Sequence, residues 1–104
     1  MNLRPVALAL FAHPDDIEYF GAGTLLLLRE AGFAIHYITL STGNCGSVEM
    51  DAGETRRVRL EEARRAADLL GATCPPPICD DLEIFYDLPT LRKVAGVIRK
   101  VKPS

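Results

Sequence analysis

Val6 to Phe11 is an unbroken apolar run of the kind found in a short strand covered on both faces. Gly21 to Glu30 follows, carries Leu25, Leu26, Leu27 and Leu28, and predicts a helix that Gly32 stops. Phe33 to Leu40 is β-branched and aromatic and predicts a second strand. Ser41 to Gly53 is rich in Gly, Ser, Thr and Asn and predicts a loop. At about a dozen residues it is long for a plain connection, which points to function. Glu54 to Leu70 is a charged helix with Leu60, Ala63, Ala66, Ala67 and Leu70 along one face, ended by Gly71. Cys74 to Asp81 is proline-rich and must be extended or turning, because proline lacks the N–H that a central strand needs. Leu82 to Phe85 predicts a further short strand. Pro89 suits the first turn of a last helix, and Leu91, Val94, Ala95, Ile98 and Val101 form its apolar stripe. The order β-α-β-α-(β)-α implies an α/β fold, a mostly parallel sheet with helices on its faces and right-handed crossovers.

Composition narrows the function classes. The 104 residues suit one domain, and 48% hydrophobic with 25% charged residues is ordinary globular composition. Twelve basic against 14 acidic residues leave a net charge of −2, without the basic excess of a nucleic-acid binder. No apolar run approaches the ~20 residues of a membrane span. Arg4 before the run Pro5 to Ala12 has the outline of a short signal peptide, but the run leads straight into a polar cluster and reads better as a buried strand. Cys45, Cys74 and Cys79 are odd in number and lack metal or redox spacing, so they read as ordinary thiols and suggest the cytoplasm.

The chemistry concentrates after the first strand. Ligands of open parallel sheets bind outside the carboxyl ends of the strands, and there the chain reads Ala12-His13-Pro14-Asp15-Asp16-Ile17-Glu18. One imidazole and three carboxylates form a dense set of metal donors. Adjacent carboxylates repel unless a cation or a shared proton intervenes. His13 and Asp16, three apart, can reach one ion across a single turn. Asp15 can approach an activated water and take its proton. The bland alternative is that Asp15 and Asp16 cap the following helix while Glu18 favours its first turn. His13 and Pro14 beside them favour the functional reading. Gly21-Ala22-Gly23 lacks the third glycine of a dinucleotide fingerprint and follows an acidic cluster that would repel a pyrophosphate.

The segment from Ala12 to Glu18 resembles the N-terminal motif of the LmbE-like (PIG-L type) family of zinc-dependent N-acetylglucosamine de-N-acetylases. Thr39 to Gly46, then Arg59-Leu60-Glu61-Glu62-Ala63, Ala66-Ala67 and Leu70-Gly71, are similar to the family's strand-loop-helix region. The resemblance implies a Rossmann-like three-layer sandwich and a metal-dependent amidase. Its cofactor would be Zn2+ or another divalent metal such as Fe2+, and its partner a small-molecule N-acetylglucosamine conjugate. It places His13 and Asp16 as two of three zinc ligands, Asp15 as general base and Arg59 as a substrate contact. Asp87 falls at a sugar-binding aspartate, although Phe85-Tyr86-Asp87-Leu88 departs from the family's Phe-Pro-Asp-Gly. Glu18 reads as structural or supporting.

Each assignment has a plainer counterpart. Arg59 is one of five arginines on a charged helix, with Arg56, Arg57, Arg64 and Arg65. Asp87 could cap the last helix. His36 belongs to no ligand-spaced pair. The family's third zinc ligand is a histidine in a later His-Pro-Asp-His-like segment, whereas this chain has only His13 and His36. A catalytic zinc takes three protein ligands and an open position. The expectation is therefore an incomplete domain: residues 1–104 as the N-terminal part of a single LmbE-like domain, inactive alone. The rival readings are a Mg2+-dependent phosphoesterase, disfavoured by the histidine, and a catalytically incomplete binding module. Whether the protein is a homo-oligomer is left open.

Overall fold

The computed structural model describes residues 4–13 and 16–104, the side chain of Glu18 excepted. Its elements are β1 (Val6–Phe11), α1 (Asp16–Phe20), α2 (Ala22–Glu30), β2 (Ala34–Thr39), α3 (Ala52–Leu70) and α4 (Leu88–Val101). The strands β1 and β2 pair in parallel from Val6 opposite Ala34 to Phe11 opposite Thr39. This is the predicted α/β class with a parallel sheet.

The sequence pattern and the structure differ at the third strand. Leu82 to Phe85 is not a strand. Leu82 has φ 63°, a left-handed conformation that interrupts an extended chain and is unfavourable for a leucine. Leu82, Ile84 and Phe85 are all exposed. The lane beside β2 is instead supplied by the segment 73–79, through isolated parallel bridges of His36 with Thr73 and Ser41 with Cys79. Thr73 N–H donates to Ile35 O at 2.9 Å, and Cys79 N–H donates to Leu40 O at 2.6 Å. Pro75, Pro76 and Pro77 lie between these two points, have no N–H, and leave the ladder broken there.

Helix boundaries also shift. The first helix predicted from Gly21 is preceded by the extra turn α1. Gly21 joins the two, with its N–H on Ile17 O at 2.8 Å. A Cβ on Gly21 would meet the Phe11 ring and Ile17 O at 3.4 Å each, which is close but ordinary contact. α3 begins at Ala52, two residues before the predicted start, because the Asp51 carboxylate accepts from Glu54 N–H at 2.8 Å and caps it. Gly71 ends it in the left-handed conformation, φ 65°.

The alternation along each strand sets the layers. Ala9, Ile35 and Tyr37 face α1, α2 and α3, meeting Ile17, Leu25, Ala63, Ala67 and Leu70 in the core. On the other face His36 and Ile38 line a groove of about 340 Å³ with Val97, Lys100 and Val101 of α4. α4 has the predicted stripe but buries no residue, and Leu91 and Ile98 each remain 43% exposed. Among the described residues, no helix is long and apolar enough to cross a membrane.

Two substitutions test this packing. The Tyr37 hydroxyl is fully buried with no hydrogen-bond partner among the described residues. Tyr37→Phe is therefore expected to leave the urea midpoint unchanged or to raise stability by about 1 kcal/mol. Asp51→Ala should lower stability by about 1 kcal/mol through loss of the cap. A destabilised Tyr37→Phe would mean that the hydroxyl has a partner.

Candidate active site

Because the lanes run parallel, their carboxyl ends share one edge of the sheet. His13 follows β1, residues 41–46 follow β2, and Asp80 and Asp81 follow the third lane. Two backbone bonds continue the pairing toward this edge: Leu40 N–H to Phe11 O and Ser41 N–H to Ala12 O, both 2.8 Å.

His13 and Asp16 come together as their spacing predicts. The His13 N–H donates to Asp16 Oδ2 at 2.9 Å, and His13 Nδ1 lies 3.7 Å from the same oxygen. Zinc bonds of about 2.0–2.2 Å would put two ligand atoms of one tetrahedral ion about 3.4 Å apart, so this pair suits two corners of such a site. Among the described residues, no three His, Cys, Asp or Glu side chains form a group that could hold a metal ion. Asp15, the expected base, and the Glu18 side chain lie outside the described residues.

Sequence reasoning missed the residue on the other side of the imidazole. Asp81 Oδ1 is 3.7 Å from His13 Nε2, and the Asp81 side chain is only 11% exposed. Its carboxylate accepts from the Ser41 hydroxyl, from Gly43 N–H at 3.1 Å and from Cys45 N–H at 3.0 Å. Asp81 N–H donates to Asn44 Oδ1 at 2.8 Å. Burial pushes the Asp81 carboxyl up, but the Ser41 hydroxyl, the two N–H groups and nearby His13 outweigh it and hold the group below its ordinary value. Its neighbour Asp80 takes a two-pronged bond from Arg56, Nε at 2.9 Å and Nη2 at 2.8 Å, and a third from the Thr42 hydroxyl at 2.9 Å. Arg56 first and Thr42 second hold Asp80 below the usual carboxylate range. Asp80 in turn holds Arg56 more firmly protonated. The available signal was an acidic pair ending a proline-rich lane; its hydrogen-bond partners are 24 to 40 residues distant in sequence, and His13 is farther still.

The two expected substrate contacts fall in different places. Arg59 keeps 27% of its side chain exposed, against 67% for Arg57 and 75% for Arg65, so it is not part of the solvated face. A Cβ on Gly46 would lie 3.6 Å from the Arg59 guanidinium, which puts this arginine against the loop. Asp87 is the N-cap of α4, with Oδ1 accepting from Thr90 N–H at 3.0 Å. The plainer reading of Asp87 thus describes a contact it makes. His36 is half-buried on the opposite face of the sheet, and all three cysteines are free thiols.

Residues 8–104 match the family described as PIG-L, GlcNAc-PI de-N-acetylase. The 4-oxalmesaconate hydratase of Pseudomonas putida is 34% identical over 94% of this chain and 41% of its own length. The diacetylchitobiose deacetylase of Thermococcus kodakarensis is 31% identical over 93% of this chain and 38% of its own length. Among solved structures, the 4-carboxy-2-hydroxymuconate hydratase of P. putida superposes with a TM-score of 0.85 at 33% identity, covering 95% of this chain and 44% of that one. The N,N'-diacetylchitobiose deacetylase of Pyrococcus horikoshii superposes with a TM-score of 0.87 at 24% identity, covering 96% of this chain and 39% of that one, and speaks to fold alone. The chain thus spans about two fifths of the length of these relatives.

The depressed carboxyls make stability depend on pH. Each contributes above the unfolded value, about 3.9, and loses its contribution as pH falls through its lower folded value. The urea midpoint of the wild type should fall on acidification below about pH 4. Asp80→Asn should be less stable at neutral pH and show a shallower fall. An equally steep fall in Asp80→Asn would show that Asp80 contributes nothing to it.

Proposed function

Because the chain belongs to the PIG-L (GlcNAc-PI de-N-acetylase) family, we propose that it carries part of a metal-dependent hydrolase site that removes the acetyl group from an N-acetylglucosamine-containing conjugate. The observation that carries this reading is the convergence of His13 Nδ1 and Asp16 Oδ2, 3.7 Å apart, at the carboxyl end of β1. His13 and Asp16 would hold Zn2+ or another divalent ion such as Fe2+. When bound, the ion supplies Lewis acidity toward the amide carbonyl and lowers the pKa of water.

The chain's own groups do the rest. Asp15 removes a proton from the attacking water and returns it to the departing nitrogen, so acetamide and water become acetate and amine. Arg59, against the loop, contacts the substrate. Asp87 accepts from sugar hydroxyls with its exposed carboxylate. The loop 41–46 forms one wall of the site through its bonds to Asp81. The free thiols agree with a cytoplasmic setting.

A second reading is a hydratase, favoured by the 34% identity to 4-oxalmesaconate hydratase. Both readings use an activated water, and they differ in whether an amide is cleaved or water is added. The protein as its gene encodes it, purified with zinc, should release acetate and amine from diacetylchitobiose in equal amounts. Asp15→Asn should cut that rate by about 100-fold or more. Turnover of 4-oxalmesaconate without acetate release from the amide would select the hydratase. Undiminished amide hydrolysis by Asp15→Asn would remove Asp15 as the base.

A further inference from the structure

We infer that Asp81 is the carboxylate that orients His13 for the metal, and that the Arg56–Asp80 ion pair is the device that holds Asp81 there. The inference rests on reading His13 and Asp16 as metal ligands and adds positioning residues to that site.

The imidazole of His13 stands between two carboxylates. Nδ1 faces Asp16 Oδ2 and Nε2 faces Asp81 Oδ1, each at 3.7 Å. A neutral imidazole carries one proton, so a metal on Nδ1 requires the proton on Nε2. Metal-binding histidines commonly give that second N–H to a carboxylate or carbonyl, which fixes the tautomer and the ring plane. Asp81 is the carboxylate on that side. It is also held in place, since the Ser41 hydroxyl, Gly43 N–H and Cys45 N–H all donate to it. An ionised carboxylate has about four acceptor sites, so three internal bonds leave capacity for the imidazole.

Asp81 owes its position to Asp80. Adjacent residues of an extended segment point to opposite sides. Here Asp80 reaches Arg56 of α3, while Asp81 reaches His13 beyond β1. The guanidinium fork binds both Asp80 oxygens, at 2.9 and 2.8 Å, and thereby fixes orientation as well as distance. Thr42 adds a bond from the loop, so helix, loop and acidic pair are tied at one point. Arg56 is thus a positioning residue without contact to the metal pair. Lysine cannot reproduce its two-pronged bond.

The test titrates Zn2+ into the wild-type protein as its gene encodes it and into its variants, read by calorimetry and by amide NMR shifts at residues 13, 16 and 41–45. Circular dichroism reports whether each variant is folded. Asp81→Asn should weaken Zn2+ binding by about 10–100-fold. Arg56→Gln should weaken it by less, and Arg56→Lys should restore only part of the loss. In the Asp81→Asn background, Arg56→Gln should have no further effect, because it acts through Asp81. Hydrogen exchange without metal should show that Arg56→Gln exposes the Gly43 and Cys45 amides. Unchanged affinity in Asp81→Asn would overturn the role of Asp81. Additive losses, or undisturbed Gly43 and Cys45 amides in Arg56→Gln, would overturn the clamp. A wild type that binds no Zn2+ would overturn the metal pair itself and Asp81's role with it. The exchange measurement would still decide the clamp if Asp81→Asn fails to fold.

Discussion

The site edge of this protein depends on two adjacent carboxylates that point opposite ways. Asp80 takes the guanidinium of Arg56, and Asp81 takes the Ser41 hydroxyl with two loop N–H groups. Without these acceptors, Gly43 and Cys45 N–H would need other partners, and among the described residues the loop would keep only its backbone bonds from Ser41 to Ala12 O and from Thr42 to Cys79 O and the Asn44 bond to Asp81 N–H. The cost of placing two negative charges next to each other is offset because each has its own donors. Bonds that enlist a charged carboxylate are about twice as strong as neutral ones, so a few of them can order a glycine-rich segment.

A parallel sheet makes this arrangement possible. Each lane delivers its end to the same edge, so residues far apart in sequence meet without long excursions. His13, the loop after β2 and the acidic pair are three successive strand-end segments of one sheet. The third lane is the least regular because Pro75 to Pro77 remove donors in its middle. Its bridges at Thr73 and Cys79 nevertheless set the register that brings Asp80 and Asp81 level with residues 41–45. The left-handed Leu82 then turns the chain away immediately after Asp81.

The two faces of the sheet differ in how completely they are covered. The face toward α1, α2 and α3 is a packed core built around Ile17, Tyr37 and Ala67. The face toward α4 is looser, and no side chain of α4 is buried. The relatives are more than twice as long, yet the superposition covers nearly all of this chain.

Much of the architecture follows from local pattern. Apolar runs, glycine stops and helical periodicity determine β1, β2, α2, α3, α4 and their alternation, because those signals act within a few residues. The pairing of His13 with Asp16 is likewise local, being one turn of chain. The N-cap at Asp87 was legible beside Pro89 for the same reason. Other features were decided only by tertiary structure. Leu82 to Phe85 has strand-like composition, but a strand needs a free edge in register, and the segment 73–79 occupies the edge of β2. Arg59 and Arg56 look like members of a solvated row until the fold sets one against Gly46 and the other on Asp80. Asp81 gains its place beside His13 only when lanes some 70 residues apart share an edge. Sequence by itself pointed to the groups proposed as metal donors. Which carboxylates stand around the imidazole depends on donors that converge only after folding.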